Sequence, residues 1–134
     1  MEQTLVIIKP DGVKRKLTGR IIQRFEDKNL TIREMYQGVI SEDIAKSHYA
    51  HLKDKAFFPE LIAYMTSGPV VFLLLEGNDA IALVRQMLGA TNILKAVPGT
   101  IRGDFACSTT ENIVHASDSP ENAAIEIQRF FSHL

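Results

Sequence analysis

Leu5-Val6-Ile7-Ile8-Lys9-Pro10-Asp11-Gly12 joins a short, apolar, largely β-branched run to a turn-forming tetrapeptide. The run has the pattern of a strand buried on both faces, and the Pro and the Asp-Gly pair predict a turn after it. Working outward, Leu17, Ile21, Ile22 and Phe25 recur at helical spacing, with Thr18 as N-cap and Asn29 as the residue past the C-terminus. Leu30 to Ile40 alternates loosely and reads as a second strand. Ser41 caps a helix bearing Ile44, Ala45, His48, Tyr49 and Leu52. Pro59 opens a short helix through Leu61, Ile62 and Met65, which stops at Gly68-Pro69. Val70 to Leu75 is a second fully buried strand, and Asp79 caps a helix with Ile81, Val84, Met87 and Leu88. Ile113-Val114 reads as a short strand, and Ser119-Pro120-Glu121 opens a last helix lined by Ala123, Ile127, Phe130 and Phe131.

The order is βαβ, one or two small helices, then βαβ and a closing helix. It predicts an α+β sandwich of the ferredoxin-like type around one four-stranded antiparallel sheet. At 134 residues, with no linker, repeat or low-complexity tract, the chain reads as one domain, 1–134. Between about 90 and 112 no periodicity holds, and a loop that long in a small domain is usually functional.

Composition removes several classes of function. Fifteen Lys plus Arg against sixteen Asp plus Glu give a net charge of −1, which excludes binding nucleic acid or anionic lipid by bulk charge. Cys107 alone allows no internal disulfide and no Cys-based zinc site, as expected of a cytoplasmic protein. The longest apolar run, Val70–Leu75, is far short of the roughly 20 residues a membrane span needs.

The common phosphate and metalloprotease motifs are missing. His48-Tyr49-Ala50-His51 offers two histidines at HxxH spacing without a third ligand, and reads better as a helix face. His115 stands apart: it follows a short strand and precedes a well-signalled helix N-terminus, where loops build sites and backbone N–H groups favour anions. By itself it is open to two readings, a catalytic imidazole or a satisfied strand-edge histidine.

Its company narrows that choice. Lys9-Pro10-Asp11-Gly12-Val13, Phe57-Phe58, Ser67-Gly68-Pro69-Val70, Gly89-Ala90-Thr91-Asn92, Pro98–Phe105 and Asn112-Ile113-Val114-His115-Ala116-Ser117-Asp118-Ser119 occur in that order. Together these blocks resemble the nucleoside diphosphate kinases, over almost the whole chain. The resemblance implies reversible transfer of a terminal phosphoryl group from a nucleoside triphosphate to a diphosphate through a phosphohistidine. Imidazole suits that work, being largely neutral near pH 7 and nucleophilic without a strong base.

The resemblance also assigns roles. His115 becomes the nucleophile and Glu126 the partner that fixes its tautomer. Lys9, Arg85 and Arg102 gather around the phosphates, Thr91 adds a hydroxyl, and Tyr49 and Ser117 hydrogen-bond near the imidazole. Asn112 meets the ribose, and Phe57 stacks on the base, which reads no hydrogen-bonding edge and so predicts broad base tolerance. Read on the residues alone, Phe57 could equally be core, Arg85 a solvated helix residue and Glu126 an exposed one. Mg2+ is expected to ride on the nucleotide phosphates with no direct protein ligand, Asp118 reaching it through water.

The rival from another class is a ferredoxin-like nucleotide- or RNA-binding module without catalysis. It is disfavoured by the net charge and by strands that hold one aromatic, Phe72. No sequence-specific nucleic-acid partner is expected. Relatives of this kind assemble as hexamers or tetramers. Here Ile93-Leu94-Lys95 replaces the Pro-Ala-acidic pattern usual in that loop, and the expectation is a hexamer with Ile93 and Leu94 between subunits.

Overall fold

The computed structural model describes residues 1–132. Strand β1 (Glu2–Ile8) pairs antiparallel with β3 (Val70–Gly77) on one side and β4 (Val114–Ala116) on the other. Strand β2 (Thr31–Gly38) pairs antiparallel with β3, giving the order β2-β3-β1-β4. The two continuously apolar runs are therefore the two central strands. Their side chains alternate between two cores, one on each face of the sheet.

Val6, Ile8, Val71, Leu73 and Leu75 meet α2 (Thr18–Asp27), α5 (Ala80–Leu88) and α6 (Ile101–Phe105) on one face. Leu5, Ile7, Val70, Phe72 and Leu74 meet α3 (Glu42–His48), α4 (Phe58–Met65) and α7 (Pro120–Phe131) on the other. Burial on both faces is why neither central strand shows a polar alternation. The α+β sandwich expected from the element order is the one observed.

Several local readings are corrected. Pro10–Lys14 is a short helix, α1, not a simple turn: Pro supplies N1, and Gly12 and Val13 N–H both donate to Lys9 O. Thr18 is the first helical residue of α2 instead of its cap, because Leu17 already has helical torsions (φ −95°, ψ −4°). Asn29 does close that helix in the left-handed region (φ 60°), with Leu30 N–H donating to Phe25 O and Asn29 N–H to Glu26 O. Asp79 precedes α5 but makes no cap bond; Glu2 Oε1, brought over by β1, accepts from Ile81 N. The segment 90–112 is not irregular throughout. Thr100 caps α6 by accepting from Gly103 N, at 2.9 Å.

The strand before the last helix is Val114–Ala116, one residue later than the apolar pair suggested. Ile113 has φ 77°, and Val114 N–H donates to Asn112 O at 2.8 Å, closing a γ-turn around a β-branched residue. That torsion costs about 1–3 kcal/mol and persists because Ile113 is fully buried in the first core. The turn delays the strand by one residue and so puts His115 inside it.

Candidate active site

Strand parity aims His115. Val114 and Ala116 pack into the α2/α5 core, so His115 between them points to the opposite face, across from Ile7. There it meets α7, though not at its N-terminus as the chain order suggested. Its Nε2 lies 3.0 Å from Oε1 of Glu126, nearly two turns into the helix. Ser119 starts α7 by accepting from Asn122 N at 3.1 Å, and Pro120 fits the first turn, so the register that delivers Glu126 is fixed locally.

Glu126 Oε1 also accepts from Ser117 Oγ at 2.8 Å, and that Oγ accepts from Leu5 N at 3.3 Å. Burial pushes the Glu126 carboxyl up, but the bonds from His115 and Ser117 and the nearby imidazoles outweigh it and hold the group below the usual carboxylate value. An ionised carboxylate only accepts, so His115 Nε2 carries the proton of that bond. In the neutral ring Nδ1 is then the nitrogen with a free lone pair.

Two guanidinium groups hold the open edge of the strand, and Lys9 lies near enough to Arg102 to feel its charge. Ser117 N donates to Leu5 O, so residues 115 and 117 bond toward β1 while the carbonyls of 114 and 116 face the open edge. Arg102 Nη2 donates to Val114 O at 2.7 Å and Arg85 Nη1 to Ala116 O at 3.2 Å. The carbonyls flanking His115 are thus each held by a guanidinium. Arg102 Nη1 also donates to Gly89 O at 2.8 Å, tying the end of α5 to the site.

Lys9 Nζ donates to Asn112 Oδ1 at 2.7 Å, and Lys9 N to Ile113 O at 2.7 Å. Burial, then the charge of Arg102, lowers Lys9 to about 8, with Asp11 opposing. Burial, then Arg85, lowers Arg102 to about 10. Among the described residues neither Lys9 nor Arg102 has a salt bridge within 4 Å. Cations that destabilise one another in a half-dry site make a receptor for a polyanion.

The remaining residues fall around this centre with different strength. Tyr49 is buried against His48, its hydroxyl has no hydrogen-bond partner among the described residues, and burial followed by the charge of Glu126 raises its pKa. Phe57 sits at the start of α4 and is 49% exposed, whereas Phe58 packs into the second core. Thr91 is exposed just beyond α5. Asn112 is buried with its carbonyl oxygen committed to Lys9.

The donors present fit magnesium in a limited way. Asp118 is an exposed carboxylate held below its usual value, chiefly by the bond from Asn122 Nδ2, and Arg85 acts on it by charge. One carboxylate beside cations matches an ion that keeps its water and takes most ligands from phosphate. His48, His115 and Glu126 form a nitrogen-rich group that does not suit Mg2+.

Three features escaped the sequence reading. His48 is 7% exposed and its ring lies edge-on to His115, centroids 4.8 Å apart. Arg129 Nη1 lies 2.9 Å from His48 Nδ1. The i, i+3 relation of Glu126 and Arg129 on α7 was the available sign that both face one way. Nothing in the sequence announced the strained torsion at Ile113.

Residues 2–134 match the family model described as nucleoside diphosphate kinase. A protein of that name from Acetivibrio thermocellus is 54% identical over 134 residues, covering 100% of this chain and 98% of its own. One from Methanothermobacter thermautotrophicus is 53% identical, covering 98% and 87%. Among solved structures, the apo nucleoside diphosphate kinase of Encephalitozoon cuniculi superposes with TM-score 0.95 at 43% identity, over 98% of this chain and 89% of that one. A halophilic nucleoside diphosphate kinase from Halobacterium salinarum in complex with CDP gives 0.94 at 44%, over 97% and 87%.

Proposed function

The chain belongs to the nucleoside diphosphate kinase family, and on that premise we propose that His115 is the residue that carries the phosphoryl group. The reaction is the reversible transfer of the terminal phosphoryl group from a nucleoside triphosphate to a nucleoside diphosphate. The observation that carries the assignment is the Nε2–Oε1 bond to Glu126, which leaves Nδ1 as the nucleophilic nitrogen in a strand flanked by two guanidinium-held carbonyls.

The Nδ1 lone pair attacks the γ-phosphorus as the bond from phosphorus to the bridging oxygen breaks, and the diphosphate leaves with that electron pair. Phosphorylated imidazole gains positive charge, which Glu126 balances through the bond at Nε2. A second diphosphate then attacks the same phosphorus through a terminal oxygen, and the N–P bond returns its pair to Nδ1. Lys9, Arg85 and Arg102 neutralise charge spread over the equatorial oxygens. Tyr49 and Thr91 donate from their hydroxyls, and Ser117 steadies Glu126. Asn112 contacts the ribose and orients Lys9. Asp118 is the carboxylate that would approach, through water, a Mg2+ ion carried by the nucleotide, and such an ion would add charge neutralisation on the phosphates.

Phe57 offers half of its surface to solvent, which supports stacking under any base. The whole chain, 1–134, serves as a single kinase domain. We place it in the cytoplasm, where nucleotide pools lie and where its exposed thiol, Cys107, stays reduced. Among the described residues no helix is long and apolar enough to cross a membrane.

Assembly as a hexamer is favoured over a tetramer. Leu94 is 91% and Val97 62% exposed on the single chain, an apolar surface in the same loop that ends at the site.

Initial rates test the mechanism. With donor varied at several acceptor concentrations, a covalent shuttle gives parallel double-reciprocal lines for purine and pyrimidine substrates alike. Intersecting lines would require both nucleotides bound together and would refute it.

A further inference from the structure

His48 belongs to no step above, yet among the described residues it is the ring that packs against the proposed nucleophile. It is buried between Tyr49, Phe130 and His115, with ring centroids 4.6, 5.3 and 4.8 Å away. Among the described residues, the charged and titratable groups acting on it are His115 from β4, Glu126 and Arg129 from α7, and His51 from the 3₁₀ turn after α3. One atom of that set settles its protonation. Arg129 Nη1 is 2.9 Å from His48 Nδ1, and a guanidinium can only donate. Nδ1 is therefore the acceptor and holds no proton.

We propose that Arg129 and His48 are a positioning pair: the guanidinium fixes His48 as the Nε2–H tautomer, so that its Nδ1 has no proton to offer Glu126 in competition with His115. This rests on the assignment of His115 as nucleophile. A charged His48 would stand beside an imidazole that itself becomes cationic on phosphorylation. It would also compete for Glu126, since His48, His115 and Glu126 each have a donor atom within 4.8 Å of the others. Burial lowers His48 furthest, and His115, Arg129 and His51 add to the effect against Glu126, taking it to about 3. Those three donors also resemble a cation site. The guanidinium on His48 opposes that, because it occupies one ring nitrogen and adds positive charge at the same place.

The test uses the full chain, labelled with 15N in its histidines, with two-bond proton–nitrogen spectra recorded from pH 5 to 8. In the native protein His48 should keep one neutral tautomer across the range. In Arg129→Met it should stay neutral, since the burial remains, but move its proton in part to Nδ1, and Arg129→Lys should restore most of the native tautomer. Phosphoryl-transfer kcat/KM in Arg129→Met should fall by about threefold or more at pH 6 and at pH 8 alike, because an Nδ1–H then competes for Glu126 at both. Adding His48→Phe to Arg129→Met should recover that loss, because no imidazole N–H remains to compete.

A loss that His48→Phe leaves in place would mean a merely structural role. An unchanged His48 tautomer in Arg129→Met, or the Nδ1–H tautomer in the native protein, would overturn the lock. The labelled residue is mapped in the same samples. A label away from His115 would refute the nucleophile assignment, while the His48 spectra report on the lock independently.

Discussion

Lys9 is the residue whose chemistry the structure makes most readily testable. Burial and Arg102 lower its pKa to about 8. Its charge is therefore present below that pH and lost as pH rises through it, unlike an exposed lysine. In the free enzyme kcat/KM should decline above about pH 8. Bound phosphates restore the charged form, so kcat should hold to higher pH. A kcat/KM flat to about pH 10, where an unperturbed lysine begins to titrate, would contradict the role given to Lys9. Removing a preorganised charge should be costly, and Lys9→Ala and Arg102→Ala should each lower kcat/KM by about 100-fold or more. For Arg102 the conservative exchange is informative as well. Its two nitrogens reach Gly89 O and Val114 O together, and a lysine cannot span that fork. Arg102→Lys should therefore recover little activity. Recovery to within about twofold would show that charge alone matters there.

Elements set where these residues can stand, and here the sequence was unevenly legible. The central strands, the Ser119-Pro120 start of α7 and the Asn29 helix end were readable because each depends on local signals: apolar runs, caps and a left-handed residue. α6 was not, because its five residues are too short for a period, and its cap, Thr100, sits in a run of turn formers. His115 and the cations were legible mainly through their order along the chain, since the distances between them are made by tertiary packing. Ser119→Ala should cost about 1 kcal/mol in denaturant unfolding, the scale of a lost N-cap. No change in stability would show that Ser119 does not hold α7 in register. Gly103→Ala should cost more, because a Cβ there would lie 1.9 Å from Val97 O, a backbone atom that cannot rotate away. Since α6 carries Arg102, that variant should lose activity together with stability. Full activity in Gly103→Ala would mean the loop tolerates a shape the structure excludes.

The whole molecule is a four-stranded sheet with one core on each face, and the site forms where an edge strand, the last helix and the 90–112 loop meet. The two strong β signals made that architecture legible, and of the two loop residues expected between subunits Leu94 lies uncovered on the single chain while Ile93 is half-buried. Leu94, at 91% exposed, argues for a neighbour of the same kind, and light scattering over a dilution series should give a stable mass near six chains. A mass near four or two chains would refute that assembly without touching the chemistry. The central claim is the covalent shuttle on His115, and isolating the labelled protein after exposure to γ-labelled ATP tests it most directly. One phosphoryl group per chain, stable in alkali, lost in acid, mapped to His115 and absent from His115→Ala, is the predicted result. Normal labelling of His115→Ala, or acid-stable label on Ser117, would contradict it.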